Sequence, residues 1–494
     1  MTSPLFAPII LASVVVWEFG ILLLEASRKP LWYDELITLH VSALHPFSLL
    51  WRALEAGADG MPPCYYVIVR LARMLPADPH VTLRVPSILG YILTLLGVYW
   101  FTRKRLPAIA GLTAVLLVSL SPFRSFATEA RSYALLVGFL AISAVLWQRI
   151  DEKRFMTPFF AIFLILAVSC HYLAVVVLSC FGIAELTWTV LSRRIRWGVW
   201  AVCLLAAGPF FLSLPLLLKY RSIFGKNFWA RPKWYGVAST YQYLGLDFNL
   251  ALVLIVLLGI VIGTSLLRTF RKLGDGAPEN PFRLHEIVLV GGFVFYPALL
   301  VVLAKLLNSG YFYRYGWPAI FGLVLGSVYL LRSTWAASTH LLVALLIAFS
   351  VQGPKDFHTL PNAGSTTVEE RWTRLEALCR DEPGIPVVIG SPISYLEAVQ
   401  YSPRGLHDRL VDVVDADRAT RLVGSDTADK TNLLLARFVP LQVEDPARFE
   451  AAYQRFILDS GGAFDWFTQY LLEKKYHLML VSKDGDSSIY VVKR

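Results

Sequence analysis

The 494-residue sequence is 56% hydrophobic and 17% charged, with a mean hydropathy of +0.55. A soluble domain is about 45–50% apolar and about 25% charged, so a wholly soluble chain is excluded. The net charge of +10 is spread over many short loops without a basic-aromatic array, which argues against a nucleic-acid partner and for loops that collect Lys and Arg beside a membrane.

A membrane span needs about 20 predominantly apolar residues. In chain order the runs predict spans at 5–25, 84–102, 106–121, 132–148, 157–170, 173–191, 197–217, 250–268, 286–307, 318–331 and 338–352. The first is read as retained, because the first basic residue, Arg28, follows the apolar run and no basic n-region precedes it. The two spans that flank His171 form a tight hairpin of short helices, and 318–331 is short as well. If spans alternate, the basic segments 103–105, 149–154, 193–196 and 268–283 fall on one side and mark the cytoplasm, with Arg28 and Lys29 as a local violation. The segments 26–83, 122–131, 218–249 and 308–317 are then external. An odd number of spans places 353–494 outside too.

That tail is polar and predicts a small α/β domain. Strands are expected at 386–390 (PVVIG) and 410–414, helices at 392–401, 446–460 and 464–475, and a terminal hairpin of 478–482 with 489–492 around Asp484-Gly485. The fold class is thus an α-helical polytopic membrane protein of about eleven transmembrane helices over 1–352, with a C-terminal soluble α/β domain over 353–494. The five cysteines, Cys64, Cys170, Cys180, Cys203 and Cys379, form no Cys-x-x-Cys pair. No zinc ribbon or disulfide framework is recognisable, although Cys64 and Cys379 could meet outside the membrane. No metal-ligand spacing and no cofactor motif is seen.

Chemistry-bearing residues concentrate in the external segments. Asp34-Glu35, within Trp32-Tyr33-Asp34-Glu35, is either a solvated acidic pair at a helix end or a catalytic carboxylate tuned by aromatic neighbours. In Glu129-Ala130-Arg131-Ser132-Tyr133, Arg131 is either a snorkelling side chain beside an interfacial Tyr or a fork on a phosphate. His171-Tyr172 interrupts a long apolar stretch, and an ionisable group at such a hairpin is a functional candidate as well as a plain turn residue. Tyr313-Arg314-Tyr315 again sets an Arg at an interface. Carboxylates, two arginines and a histidine from separate loops on one face are how a site for an anionic lipid would be built. Glu18, the one clear acidic residue deep in a span, would face the bundle and pair with a base. The basic, aromatic 218–249 segment, with Lys219, Arg221, Lys226, Arg231 and Lys233, suits anionic headgroups or a lid.

With Trp32-Tyr33-Asp34-Glu35, Pro62-Pro63-Cys64-Tyr65-Tyr66, Leu83-Arg84-Val85-Pro86-Ser87, Glu129 to Tyr133, His171-Tyr172 and Tyr313-Arg314-Tyr315 before Pro318, all in order, the sequence resembles the GT-C glycosyltransferases of the protein-mannosyltransferase and aminoarabinose-transferase type. The resemblance covers roughly 5–350 and is carried by the ordered set. It implies a polyprenyl-phosphate sugar donor, inverting transfer on the extracytoplasmic face and a set of residue roles: Asp34 as the base for the acceptor hydroxyl, Glu35 assisting it, and Arg131 and Arg314 on the lipid phosphate with Tyr133, His171 and Tyr315 in support. Glu129 is a further candidate. The family often works without a metal, though some relatives need one. A glycolipid such as lipid A, a polysaccharide or a protein would be the acceptor, and a bacterial inner membrane the location. The competing readings are a transporter or lipid flippase, which would need a polar path and often inverted repeats that are not seen here, and a scaffold that displays the tail.

Overall fold

The computed structural model describes residues 5–225, 228–245, 283–330, 339–359, 364–380, 382–485 and 487–494. The expected span 250–268, most of the 268–283 basic segment and Lys226 lie outside the described residues. Residue contacts divide the chain into two units, one of Met1–Ser27, Val67–Leu214 and Arg231–Thr359, the other of Arg28–Tyr66, Pro215–Ala230 and Leu360–Arg494.

The first unit is helical because its sequence is a series of apolar runs punctuated by basic and Pro-containing turns. Asp78 caps the Pro79–Arg103 helix by accepting the His80 and Val81 N–H groups, and Arg28, Arg103 and Arg149 sit in last turns, where a cation suits the helix dipole. Among the described residues, five helices are long and apolar enough to cross a membrane: Phe6–Arg28, Pro79–Arg103, Ala174–Ser192, Trp197–Phe224 and Leu284–Leu306. The Trp197–Phe224 segment begins in the first unit and ends among residues of the second. A sixth would join Ala108–Ser119 to the 3₁₀ turn Pro122–Thr128 across a 68° bend. The expected spans 132–148, 157–170, 318–331 and 338–352 are present as the shorter apolar helices Tyr133–Arg149, Met156–Cys170, Ala319–Leu330 and Thr339–Gly353.

Close backbone approach holds these helices together. A Cβ at Gly138 would stand 2.2 Å from the Gly90 carbonyl oxygen, and one at Gly90 would stand 2.3 Å from Leu135 Cα. The Pro79–Arg103 and Tyr133–Arg149 helices therefore touch through glycines, as apolar helices do when packing rather than water exclusion drives association. Glu18 is buried and accepts from Arg124 at 2.9 Å. It is not the only buried acid in a helix, contrary to expectation. Glu185 pairs with Arg196 and accepts the Trp147 indole N–H at 3.0 Å, and Glu286 takes a forked bond from Arg105 at 2.6–3.1 Å. Each buried carboxylate is matched by a guanidinium, because an unpaired one would be costly. The basic segments meet at one end of the unit: Lys104 pairs with Glu152, while Arg196 and Arg283 reach Asp151 at 3.0 and 3.4 Å.

The second unit holds a six-stranded sheet of β1 (Val387–Ile389), β2 (Leu410–Val413), β3 (Val443–Glu444), β4 (Arg455–Ser460), β5 (His477–Asp484) and β6 (Ser487–Lys493). The order is β3-β2-β1-β4-β6-β5. The first four strands are parallel, and β6 runs antiparallel to β4 and β5. Val388, Val411, Phe449, Phe456, Leu458, Trp466 and Val492 form the core. The single helix expected over 446–460 stops at Ala452, and 455–460 is strand β4. A short apolar run such as Phe456-Ile457-Leu458 suits either state by periodicity; pairing with β1 and β6 decides it. The expected 464–475 helix is confined to Phe467–Glu473, and the Ala416–Val423 and Thr427–Leu435 helices were not anticipated. The same unit includes the Tyr33–Ala43 helix, which packs on Pro392–Tyr401, and the Phe47–Ala56 helix, which packs on Thr427–Leu435. All five cysteines are free thiols, Cys64 and Cys379 included.

Candidate active site

Six of the eight expected residues, Glu129, Arg131, Tyr133, His171, Arg314 and Tyr315, belong to the first unit. After the 3₁₀ turn the chain reverses at Glu129, whose carbonyl accepts the Arg131 N–H at 2.7 Å. The Ser87 hydroxyl donates to the Arg131 carbonyl at 3.0 Å and fastens this turn to the Pro79–Arg103 helix. The next helix starts at Tyr133, so Arg131 and Tyr133 both stand at its mouth, and both are buried. Glu129 is half-buried, and its charge is one of the influences that raise the Tyr243 hydroxyl pKa, behind burial and Tyr313.

His171 lies where the Met156–Cys170 helix ends in extended backbone. Its Nδ1 accepts the Leu173 N–H at 3.1 Å, which puts the proton of the neutral ring on Nε2. The ring is 5% exposed, and Nε2 has no hydrogen-bond partner among the described residues. Burial first, then the positive charges of Arg131 and Arg314, lowers the His171 pKa to about 3, so the imidazole is neutral at physiological pH. Arg314 sits on the 3₁₀ turn Tyr313–Gly316, with its guanidinium carbon 5.6 Å from the Tyr133 ring and 5.2 Å from the Phe312 ring. The His171 ring is 5.5 Å from Tyr133 and 5.8 Å from Tyr315, and Tyr133 and Tyr315 are 6.3 Å apart. Three segments far apart in sequence thus bring Arg131, Tyr133, His171, Arg314 and Tyr315 into one cluster. Two guanidinium groups and an imidazole N–H make it a donor set for an oxyanion.

Sequence reasoning overlooked Phe312, beneath Arg314, and Tyr311, whose hydroxyl bonds Thr240 Oγ1 at 2.6 Å and whose ring lies 6.2 Å from Tyr315. The aromatic run ahead of Arg314 was the available signal.

Asp34 and Glu35 belong to the second unit. Both lie in the first turn of the Tyr33–Ala43 helix, where its N-terminal dipole favours negative charge. Glu35 is buried, and its Oε2 accepts the Trp32 N–H at 3.3 Å, closing the helix start. Asp34 is half-buried. The neighbouring Tyr33 hydroxyl donates to Asn432 Oδ1 at 3.0 Å and to the Ala428 carbonyl at 3.3 Å, and the Leu31 N–H donates to the Tyr401 hydroxyl at 2.7 Å. Asn432 in turn donates to Asp412 Oδ2 at 2.7 Å and to the Pro392 carbonyl at 2.8 Å. The acidic pair is therefore carried on a helix bolted to the sheet-bearing domain. Nothing local in the sequence announces Asn432 or Tyr401 as its anchors. Among the described residues, no group of three or more His, Cys, Asp or Glu side chains could hold a metal ion.

No protein-family model and no curated protein matches the sequence. Solved structures do. ArnT from Cupriavidus metallidurans bound to undecaprenyl phosphate aligns at 13% identity over 99% of this chain and 98% of its own, with a TM-score of 0.56. The Archaeoglobus fulgidus oligosaccharyltransferase in its apo form aligns at 11% identity over 99% of this chain and 74% of its own, with a TM-score of 0.47. The end-to-end match to the first of these, a GT-C glycosyltransferase, shows that this chain has the GT-C fold.

Proposed function

We propose that the protein is an inverting glycosyltransferase that moves a sugar from a polyprenyl-phosphate donor to an acceptor hydroxyl on the extracytoplasmic face of a bacterial inner membrane. Residues 1–352 carry the chemistry, and 353–494 form an extracytoplasmic domain that anchors the Asp34 helix. The observation that carries the reading is His171: a buried, neutral ring whose Nε2–H has no partner among the described residues, acted on by both Arg131 and Arg314. A phosphate accepts from all three, and the structural neighbour with the same fold was solved with a polyprenyl phosphate.

In the reaction Asp34 takes the proton of the acceptor hydroxyl, with Glu35 assisting. The acceptor oxygen forms its bond to the anomeric carbon as the bond from that carbon to the phosphate oxygen breaks. The electron pair leaves on the phosphate, and Arg131, Arg314 and the His171 N–H stabilise the charge that grows there, with Tyr133 and Tyr315 shaping the cluster. A phosphate leaving group needs charge stabilisation more than a general acid, so one carboxylate base suffices, unlike the paired carboxyls of glycosidases. The acceptor is a glycolipid, a polysaccharide or a protein. The buried acids that a transporter would use as a polar path are instead neutralised by Arg105, Arg124 and Arg196.

The test is reconstitution of the full chain in sealed vesicles with polyprenyl-phosphate sugars and candidate acceptors. Glycosylated acceptor with release of polyprenyl phosphate is expected. Translocation of the lipid or sugar across the bilayer with no new glycosidic bond would favour the transporter and overturn this reading.

A further inference from the structure

A cavity of about 420 Å³ lies at the end of the first unit where the basic segments meet, lined by Trp100, Arg103, Lys104, Arg149, Glu152 and Lys153 among others. Lys104 is paired with Glu152. Arg103, Arg149 and Lys153 have no ion-pair partner among the described residues, so within these residues the lining carries three positive charges not matched by an acid. Arg149 is the most telling of them. Its Nη2 makes only a long 3.5 Å bond to the Trp100 carbonyl, and its buried Nε has no partner among the described residues. A guanidinium N–H left buried without an acceptor is costly, and a ligand oxyanion would supply one. Loop cations that merely face water would need neither a cavity nor a buried N–H.

The position of the cavity identifies the source of that anion. Tyr133 and Arg149 stand at opposite ends of one helix, sixteen residue steps or about 24 Å apart, so this cavity is at the far end from the His171 cluster. Trp100 is 39% exposed on its wall, where an indole would sit at headgroup level. Phe155 and Phe159, which follow Lys153 in sequence, are 60% and 49% exposed and offer the apolar surface that an acyl chain covers. We propose that the cavity binds the phosphodiester headgroup of an anionic phospholipid, held by Arg149 and Arg103 with Lys153 at the rim.

The test is lipid binding to the full chain in neutral detergent, followed by native mass spectrometry with phosphatidylglycerol, phosphatidylcholine and inorganic phosphate as separate probes. Each nearby Lys or Arg adds about 1 kcal/mol toward an anionic lipid, so phosphatidylglycerol should bind on the order of a hundredfold more tightly than phosphatidylcholine. Arg103→Gln/Arg149→Gln should reduce that preference to about fivefold. Lys153→Gln, a change at an exposed side chain that should leave the fold alone, should reduce it by about fivefold. Arg193→Gln/Arg194→Gln, at exposed arginines of another basic segment, should leave it unchanged. The proposal fails if Lys153→Gln and the double variant both keep the full preference, if the Arg193/Arg194 variant loses as much, or if millimolar inorganic phosphate displaces phosphatidylglycerol. The last result would assign the cavity to a free phosphate.

Discussion

At the residue scale, the proposed chemistry divides between a proton acceptor and a charge clamp, and each makes its own demand. An amide at position 34 keeps the size and hydrogen bonding of Asp34 but cannot take a proton. Asp34→Asn is therefore expected to lower transfer by about 100- to 10,000-fold, the usual contribution of a general base, while leaving binding of the polyprenyl-phosphate donor largely intact. Near-normal turnover would move the role to Glu35, although Glu35 is already committed to the Trp32 N–H. The clamp is tested at Arg131. Lysine retains the charge and loses the planar fork. Arg131→Lys should thus weaken donor use by about tenfold and Arg131→Ala further still, with kcat falling as well as donor affinity, because charge on the phosphate grows as the bond breaks. Equal kinetics for Lys and Arg at this position would show that a point charge is enough and remove the fork from the mechanism.

The Tyr33–Ala43 helix is the element on which the base depends. Its attachment is the Tyr33 hydroxyl on Asn432, with the Leu31 N–H on Tyr401. Tyr33→Phe removes one neutral hydrogen bond, worth about 0.5–1.5 kcal/mol, so kcat should fall by about 2- to 10-fold while the donor KM holds steady. A change confined to donor KM would mean that the helix serves donor binding rather than the base. Behind Asn432 stand two buried acids. Burial pushes the Asp412 carboxyl up to about 7, against the lowering effect of the Asn432 bond. Burial, then the nearby Asp412 charge, pushes Asp429 up to about 8, although the Trp466 indole N–H donates to it at 2.6 Å. Both folded-state values exceed the unfolded value of about 3.9. The native domain therefore holds more protons than the unfolded chain between about pH 4 and 8, and this contribution to stability is lost as pH rises through that window. Hydrogen-exchange protection of peptides within 410–435, corrected for intrinsic rate, should be at least about tenfold lower at pH 8 than at pH 6. Asp429→Asn should reduce the difference, leaving the part due to Asp412, and an unchanged pH slope in that variant would separate the slope from Asp429.

For the whole molecule the decisive question is sidedness. Asp34 and the C-terminal sheet belong to one packed unit, joined by Tyr33 and Asn432, so they should share one face of the membrane. Protease added outside sealed, right-side-out vesicles should remove residues beyond about 360 from the intact chain. A tail protected there, and cut only after the vesicles are opened, would reverse the proposed topology. The convergence of Lys104, Asp151, Glu152, Arg196 and Arg283 at one end of the first unit agrees with the gathering of basic loops read from the sequence.

The sequence by itself determined that the chain is a bundle of apolar helices with a polar α/β tail, because run length and loop charge are local quantities set by composition. It also marked Arg131, His171 and Arg314 as separate candidates, since an ionisable group beside an apolar run stands out wherever it falls. It did not determine the fate of Phe456-Ile457-Leu458, which has the same apolarity in a helix or a strand and takes its state from β1 and β6. Nor did it disclose that Glu185 and Glu286 are buried: their partners, Arg196 and Arg105, lie in other segments, and only packing brings the charges together. Only the tertiary structure decided that Asp34 rides on the C-terminal domain, that His171 is a buried neutral ring under the charges of two arginines, and that a basic cavity forms around Arg149. Each depends on residues distant in the chain, and the free energy that joins them comes from burial and hydrogen bonding that no local pattern encodes.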